Sequence, residues 1–155
     1  MAMEIEHKFL LANEQWRPHV RRSCWYRQGY LSGNPLSSVR VRVAGDRAWL
    51  NIKSATIGNR RHEFEYEIPL TDAETLLNEL CLKPLIEKTR HFVDHGGHVW
   101  EIDEFSGDNL GLIVAEIELS EVDEAFEKPV WLGEEVTYDV RYYNNNLSRQ
   151  PYKSW

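Results

Sequence analysis

The sequence predicts a mainly β (α+β) protein in which eight antiparallel strands form a barrel or a sandwich, with a few peripheral helices. Eight short stretches alternate apolar and polar residues, which is the period of a β-strand. Glycine, asparagine, aspartate and proline stand at the joints between these stretches, as they do in tight turns. Because closing an antiparallel sheet removes exposed strand edges, this pattern favours a barrel or a sandwich.

The composition is that of one ordinary globular domain covering residues 1–155. Of the 155 residues, 42% are apolar and 28% are charged, which is too apolar for a disordered chain. The net charge of −7 argues against a general nucleic-acid coat. The longest uncharged apolar stretch is too short to span a bilayer, and Glu4 and Glu6 are unlike the start of a signal peptide. We therefore expect a cytoplasmic protein that binds neither nucleic acid nor membrane.

Each predicted strand is a run of alternating residues bounded by turn residues. The eight predicted strands cover residues 3–11, 24–32, 36–43, 46–53, 61–69, 85–94, 98–105 and 112–120. The turns between them are predicted at Gly33-Asn34-Pro35, Ala44-Gly45-Asp46, Gly58-Asn59, His95-Gly96-Gly97 and Ser106-Gly107-Asp108-Asn109.

Helices are predicted at three places outside the strands. The run T-D-A-E from Thr71 forms a capping box ahead of three leucines, so a helix is expected to start there. A second helix is expected over residues 120–126, and a third short one after Asn144.

Cysteine and histidine do not indicate a metal centre. Cys24 and Cys81 lie far apart without a C-x-x-C pattern, which predicts reduced thiols rather than a disulfide framework or a zinc site. The six histidines show no paired ligand spacing, and there is no glycine-rich P-loop. Any phosphate would therefore have to be held by side chains.

The charged residues of the strands fall on one face of each strand. In the first strand Glu4, Glu6 and Lys8 share one face, while Ile5 and Phe9 share the other. The same alternation recurs along the chain. If these charged faces line a barrel interior, the acids there are Glu4, Glu6, Glu63, Glu65, Glu67, Glu101, Asp103, Glu116 and Glu118, and the bases are Lys8, Arg40, Arg42, Lys53, Arg61, Lys88, Arg90 and Arg141.

The signs of these charges are segregated, which a simple solvent face does not explain. Like charges placed opposite each other destabilise a sheet, yet 63–67 carries three glutamates and Arg40 is followed by Arg42 on the same face. Divalent cations can compensate such carboxylates, and a polyanion can compensate the guanidinium groups. The residues alone thus indicate a substrate made of a metal ion and a polyphosphate.

The order of motifs resembles that of the CYTH, or triphosphate tunnel metalloenzyme, superfamily, in particular its small bacterial inorganic triphosphatases. E-I-E-H-K at residues 4–8 is similar to the E-x-E-x-K signature of that superfamily. Eight further motifs follow in the same order: Q-G-Y-L, V-R-V-R, the lysine strand ending at Lys53, R-H-E-F-E-Y-E-I-P, E-K-T-R, E-I-D-E-F, A-E-I-E-L and V-T-Y-D-V-R-Y-Y-N-N-N-L. The resemblance covers nearly the whole chain and implies a closed eight-stranded antiparallel tunnel with a charged lumen.

The resemblance also implies roles for individual residues. Metal-binding positions are matched by Glu4, Glu6, Asp103, Glu116 and Glu118. Triphosphate-binding positions are matched by Lys8, Arg40, Arg42, Lys53, Arg61, Lys88, Arg90 and Arg141. The implied reaction is Mg²⁺- or Mn²⁺-dependent transfer of a phosphoryl group to water, with Lys8 in the catalytic set and Glu63 and Glu65 as candidate proton acceptors.

Several alternatives stay open at this point. A class IV-type adenylyl cyclase or a thiamine triphosphatase would share the tunnel, and a non-catalytic polyphosphate- or nucleotide-binding barrel would keep the bases without needing the metal carboxylates. The sequence does not choose between magnesium and manganese, does not identify the proton acceptor, and leaves a homodimer open.

Overall fold

The backbone is a nine-stranded antiparallel sheet that curls into a barrel. The computed structural model describes residues 2–32, 34, 36–55 and 60–155, with side chains from Ile5 onward except at residue 60. In these ranges the strands are β1 (Ala2–Leu11), β2 (Val20–Ser32), β3 (Ser37–Ala44), β4 (Arg47–Ser54), β5 (Arg60–Ile68), β6 (Ile86–His95), β7 (His98–Phe105), β8 (Ile113–Glu118) and β9 (Leu132–Glu135). All eight predicted strands are confirmed, and β9 is a strand that the sequence did not predict.

The sheet closes because its first strand in spatial order, β5, also pairs with β1 near the other end. The sheet runs β5-β4-β3-β2-β6-β7-β8-β1-β9, and β5 pairs in addition with the first half of β1. That pairing is short and joins residues 2–5 to residues 60–63. Strands β1 to β8 therefore surround a common interior, while β9 lies beside the second half of β1. The predicted antiparallel barrel is confirmed.

Apolar side chains lie mainly on the outside of the barrel, where other segments cover them. One outer cluster joins Phe9 and Trp100 to Trp131, from the chain that follows β8. Another joins Val41 of β3 to Ala73 and Leu77, from the helical segment that follows β5. Because side chains alternate along a strand, packing these residues outward turns the charged residues inward.

One part of the interior is apolar and is filled from the C-terminal segment. Ile86, Phe105 and Val114 lie on the same strand faces as Lys88, Asp103 and Glu116, two positions further along. Leu147 packs against them, in a fully buried cluster with Leu112. The charged interior is therefore bounded on this side by an apolar plug.

Three helical predictions meet different outcomes. The segment after β5 is α1 (Leu70–Thr75), which continues as a wider π-type turn over Leu76–Leu80. Pro69 occupies the N-cap position without a side-chain cap, so the helix forms but the predicted Thr71 capping box is wrong. The short C-terminal helix is confirmed as α2 (Asn144–Leu147).

The helix predicted over residues 120–126 is wrong. This segment is a bend and a turn followed by chain without regular secondary structure. The carboxylate of Glu124 accepts a hydrogen bond from the Ser120 backbone N–H at 2.7 Å and lies 2.7 Å from His98, and Phe126 packs edge-on against Phe9 and Trp100. Contacts with the barrel thus outweigh the local helical preference.

Short 3₁₀ turns occupy Arg17–His19, Gly107–Asn109, Val140–Tyr142 and Tyr152–Ser154. The β6–β7 hairpin turns at Gly96 and Gly97, whose φ angles of 60° and 80° suit glycine in a two-residue turn. The turns predicted at Gly33-Asn34-Pro35 and Gly58-Asn59 fall wholly or partly outside the described residues. Cys24 and Cys81 are free thiols, as predicted. Within the described ranges, none of the helices has the length and apolar character needed to cross a membrane.

Candidate active site

The interior of the barrel contains two adjoining cavities of different character. One has a volume of about 330 Å³ and a mostly charged lining, and we call it the charged cavity. The other has a volume of about 430 Å³ and is lined largely by uncharged residues, and we call it the neutral cavity. Glu6, Lys8, Arg40, Arg61 and Asn144 line both cavities. These residues mark the junction.

Residues from all eight strands β1 to β8 line the charged cavity. The described predicted site residues that do so are Glu6, Lys8, Arg40, Arg42, Lys53, Arg61, Glu63, Glu65, Arg90, Glu116 and Glu118. The structure therefore brings together most of the side chains that alternation placed on the charged faces.

Lys8 and its partners form the centre of this arrangement. The Lys8 ammonium lies 2.6 Å from the carboxylate of Glu116 and 3.4 Å from that of Glu6. Arg61 contacts the same oxygen of Glu6 at 3.3 Å. Strand pairing produces this contact, because Lys8 of β1 lies directly opposite Glu116 of β8.

The mutual attraction of these groups controls their ionisation. Burial alone would lower the pKa of Lys8, but the charges of Glu116 and Glu6 outweigh it and raise that pKa. Burial alone would raise the pKa of Glu116, but the charges of Lys8, Arg90 and Lys88 together outweigh it, and the pKa falls to about 2. Glu116 is therefore ionised across the neutral pH range.

The carboxylate of Asp103 lies outside the lining of both cavities and is paired with two cations. Arg90 Nε and Nη2 donate to its two carboxylate oxygens at 2.7 and 2.9 Å, and Lys88 Nζ donates at 2.7 Å. These cations outweigh burial and lower the pKa of Asp103. Neither Asp103 nor Lys88 lines a cavity, and both are fully buried. The structure thus places the predicted metal ligand Asp103 where it orients Arg90.

Five arginines line the charged cavity, and three of them, Arg40, Arg42 and Arg90, lie close enough to affect one another. Burial, together with the charges of Arg40 and Arg90, lowers the pKa of Arg42 to about 10. Arg40 is buried, and its Nε has no hydrogen-bond partner among the described residues. A buried guanidinium donor without an acceptor is costly, and a phosphate oxygen is an acceptor that it could bind.

The three glutamates of β5 have different surroundings. Glu63 lies 2.8 Å from Lys53, and Glu65 accepts a hydrogen bond from Asn51 at 2.7 Å. Both line the charged cavity. Glu67 instead pairs with Arg47 at 2.8 Å on the exposed surface. Cross-strand neighbours thus compensate part of the segregation of charge, and the expectation that Glu67 faces the interior is wrong.

A further predicted site residue, Arg141, lies outside both cavities, and one more, Glu4, has a side chain that the structure does not describe. Arg141 is exposed, pairs with Asp139 at 2.7 Å and stacks over Trp155, outside the lining of both cavities. The side chain of Glu4 lies outside the described set, although its backbone pairs with Arg61. The prediction that Arg141 lies in the lumen is therefore wrong.

The structure also adds residues that received no role from the sequence. Arg22 lines the charged cavity and stacks on Phe92 at 4.1 Å. Glu101 lies there as well, 3.0 Å from Arg90, and burial raises its pKa. Alternation did place Glu101 on the charged face, but Arg22 lies before the start of the predicted strand. Gln28 and Asn144 carry no charge, so the charge pattern contains no signal for them.

The carboxylates at the junction suit a hard divalent cation. Glu6 and Glu118 are directly opposed on β1 and β8, and Glu116 adjoins them on the same strand face. A cationic nitrogen already bridges Glu6 and Glu116, so this position favours positive charge. No group of three or more acidic, histidine or cysteine side chains close enough to hold a metal occurs within the described set. Magnesium usually takes only one or two carboxylates and fills its other positions with water and phosphate oxygens, so these residues fit it.

A barrel with this lumen defines a family of proteins. Residues 2–152 match the CYTH domain model, and the chain therefore belongs to the CYTH family. It is 45% identical to a protein of Acetivibrio thermocellus named inorganic triphosphatase, over 100% of this chain and 99% of that protein. It is 36% identical to an inorganic triphosphatase of Nitrosomonas europaea, over 94% of this chain and 96% of that one.

A solved structure agrees with these relatives. The crystal structure of an inorganic triphosphatase matches with a TM-score of 0.68 at 34% identity, covering 96% of this chain and 95% of that chain. The predicted family is confirmed by these comparisons.

Proposed function

We propose that this protein is an inorganic triphosphatase that hydrolyses tripolyphosphate in the charged cavity with the help of Mg²⁺ or Mn²⁺. The observation that carries the proposal is the lining of the charged cavity, which combines five arginines with the carboxylates Glu6, Glu116 and Glu118. Two relatives of nearly equal length are named inorganic triphosphatase, which supports the same activity.

The basic residues bind and orient the substrate. Arg40 and Arg42 supply guanidinium donors that match phosphate oxygens in pairs, and Lys53 and Arg61 add positive charge across the cavity. Arg90 is held by Asp103 and Glu101, so its plane is set before substrate arrives. These preorganised positive charges stabilise the negative charge on the phosphoryl group in the transition state of its transfer.

The carboxylates have two tasks. Glu6, Glu116 and Glu118, with Glu4 by resemblance, would hold the divalent metal, which lowers the pKa of bound water and neutralises phosphate charge. Glu63 and Glu65 line the same cavity and are the candidate acceptors of the proton from the attacking water. The water oxygen forms a bond to a terminal phosphorus as the anhydride bond breaks, releasing orthophosphate and pyrophosphate.

The neutral cavity provides space for the organic group of a triphosphate ester, which is an alternative substrate. Tyr30, Tyr138 and Tyr143 line it, and its volume of about 430 Å³ adjoins the junction. An organic group attached to a triphosphate could lie there, as a thiamine triphosphatase or an adenylyl cyclase requires. The cytoplasmic location and the homodimer stay predictions.

A phosphate-release assay tests the proposal. Tripolyphosphate, ATP and thiamine triphosphate are each supplied with Mg²⁺, with Mn²⁺ or with chelator, and kcat/KM is measured. We expect the highest value for tripolyphosphate and none in chelator. The exposed-pair variant Glu67→Gln serves as a control and should match wild type. Tight triphosphate binding by calorimetry without turnover of any substrate would instead indicate a non-catalytic binding barrel.

A further inference from the structure

A chain of uncharged amides connects the arginine cluster to the junction. Gln28 is fully buried, and its Oε1 accepts a hydrogen bond from Arg42 Nε at 3.1 Å. Its Nε2 donates to Asn144 Oδ1 at 3.1 Å. Asn144 belongs to α2, next to the apolar plug, and lines both cavities.

The donors around these amides determine how both are oriented. Arginine and lysine side chains can only donate, so the Gln28 atom that faces Arg42 must be its oxygen. Gln28 therefore presents its nitrogen to Asn144, whose Oδ1 also lies 3.4 Å from the Lys88 ammonium. With its oxygen held by two donors, Asn144 must direct its Nδ2 elsewhere. No described residue accepts a hydrogen bond from that nitrogen.

We propose that Asn144 binds the substrate by donating a hydrogen bond from Nδ2 to a triphosphate oxygen at the junction, and that Gln28 is the positioning residue that holds it there. This rests on the proposed function, because it needs the triphosphate to occupy the junction. Gln28 also couples Asn144 to Arg42, so one buried side chain orients one neutral and one charged donor.

The decisive variants are Asn144→Asp and Asn144→Ala, measured in tripolyphosphate hydrolysis with Mg²⁺. Asn144→Asp keeps an oxygen for Gln28 and Lys88, loses the donor and adds a negative charge, whereas Asn144→Ala loses both the donor and the oxygen without adding charge. A neutral contact binds ground and transition states alike, so we expect KM to rise about ten- to a hundredfold in both, with kcat within about twofold of wild type. Asn144→Asp should melt at the wild-type temperature.

A matched control separates the stability of α2 from substrate contact. Asn146 lies in the same helical turn, donates to the Val140 carbonyl at 2.6 Å and lines neither cavity. Asn146→Ala should keep the wild-type KM even if it melts earlier. For the positioning role, Gln28→Met retains the buried volume without the hydrogen bonds, and we expect its KM to rise about tenfold.

The outcomes are distinct. If Asn144→Ala keeps the wild-type KM, the substrate contact is wrong, and if Gln28→Met keeps it, the positioning role is wrong. If wild-type protein releases no phosphate, the proposed function fails instead. Calorimetry with a slowly hydrolysed triphosphate analogue then measures the same contact as a rise in Kd.

Discussion

The ammonium of Lys8 and the carboxylate of Glu116 form a buried ion pair of 2.6 Å between directly opposed positions of β1 and β8. Glu6 shares the same ammonium at 3.4 Å. The pair joins a residue that we propose binds phosphate, Lys8, to a residue that we propose binds metal, Glu116. It places a positive charge where two carboxylates of the barrel interior meet.

Removing Glu116 should destabilise the fold. Glu116→Gln leaves a buried ammonium with only the longer contact to Glu6, and breaking a buried pair costs about 3 kcal/mol or more. Urea unfolding measures the loss. The control Glu67→Gln breaks an exposed pair of similar length and should change stability by less than about 1 kcal/mol. Equal effects of the two substitutions would contradict a special role for the buried pair.

The same carboxylate predicts an acid-sensitive stability. The pKa of Glu116 is about 2 in the fold, against an ordinary value of 4.5. Since the folded-state pKa is depressed, this contribution is present above pH 4.5 and is lost as the pH falls towards 2. At about 1.4 kcal/mol per pH unit, it amounts to about 3 kcal/mol. Unfolding free energies between pH 6 and pH 3 should therefore fall less steeply for Glu116→Gln than for wild type, and parallel curves would refute this.

Glu6→Gln should abolish turnover and leave the fold intact, because it removes a metal-binding oxygen while Lys8 keeps Glu116. Glu4→Gln should behave in the same way by resemblance. Phosphate release and circular dichroism measure the two properties. Turnover within a few-fold of wild type in either variant would remove that residue from the metal site.

Asp103→Asn distinguishes an orienting residue from a metal ligand. We expect a loss of stability of about 3 kcal/mol and a higher KM for tripolyphosphate, because Arg90 and Lys88 lose their shared anion. The metal concentration for half-maximal activity should not change. Glu101→Gln, which removes the less buried partner of Arg90, should have a smaller effect on stability. A tenfold higher metal requirement at unchanged stability would restore Asp103 as a ligand.

Ligands of the lumen should raise the melting temperature. At 100 times its dissociation constant, a ligand adds about 2.7 kcal/mol, and each kcal/mol corresponds to very roughly 2–4 °C for a domain of this size. We expect a rise of about 5–10 °C with Mg²⁺ and a slowly hydrolysed triphosphate analogue. The Glu4→Gln/Glu6→Gln double variant should lose most of the metal-dependent part. No shift with either metal at saturation would mean that the lumen binds neither partner.

The positions of the strands along the chain and the faces of most of their charged residues could be predicted from the sequence. Alternation is a local property, because each side chain points opposite to its neighbour whatever the strand packs against. Arg40 and Arg42 on one face of β3, with Val39, Val41 and Val43 on the other, therefore already contain the division between lumen and outer core. The motif order then indicated the family, and the comparisons confirm it.

Contacts between distant segments decided the rest. Residues 120–126 do not form the predicted helix because Glu124 and Phe126 contact His98 and Phe9. Ile86 belongs to the apolar plug because α2 brings Leu147 into contact with it. Arg90 and Lys88, 13 and 15 positions before Asp103 in the chain, donate hydrogen bonds to its carboxylate. The charge pattern alone could not distinguish this paired carboxylate from one that faces a metal. Gln28 and Asn144 are 116 positions apart and uncharged, so only the closed barrel makes them partners. The sequence by itself determined which side chains each strand turns inward, and tertiary structure decided which of them reach the lumen, because that depends on the neighbours each side chain meets.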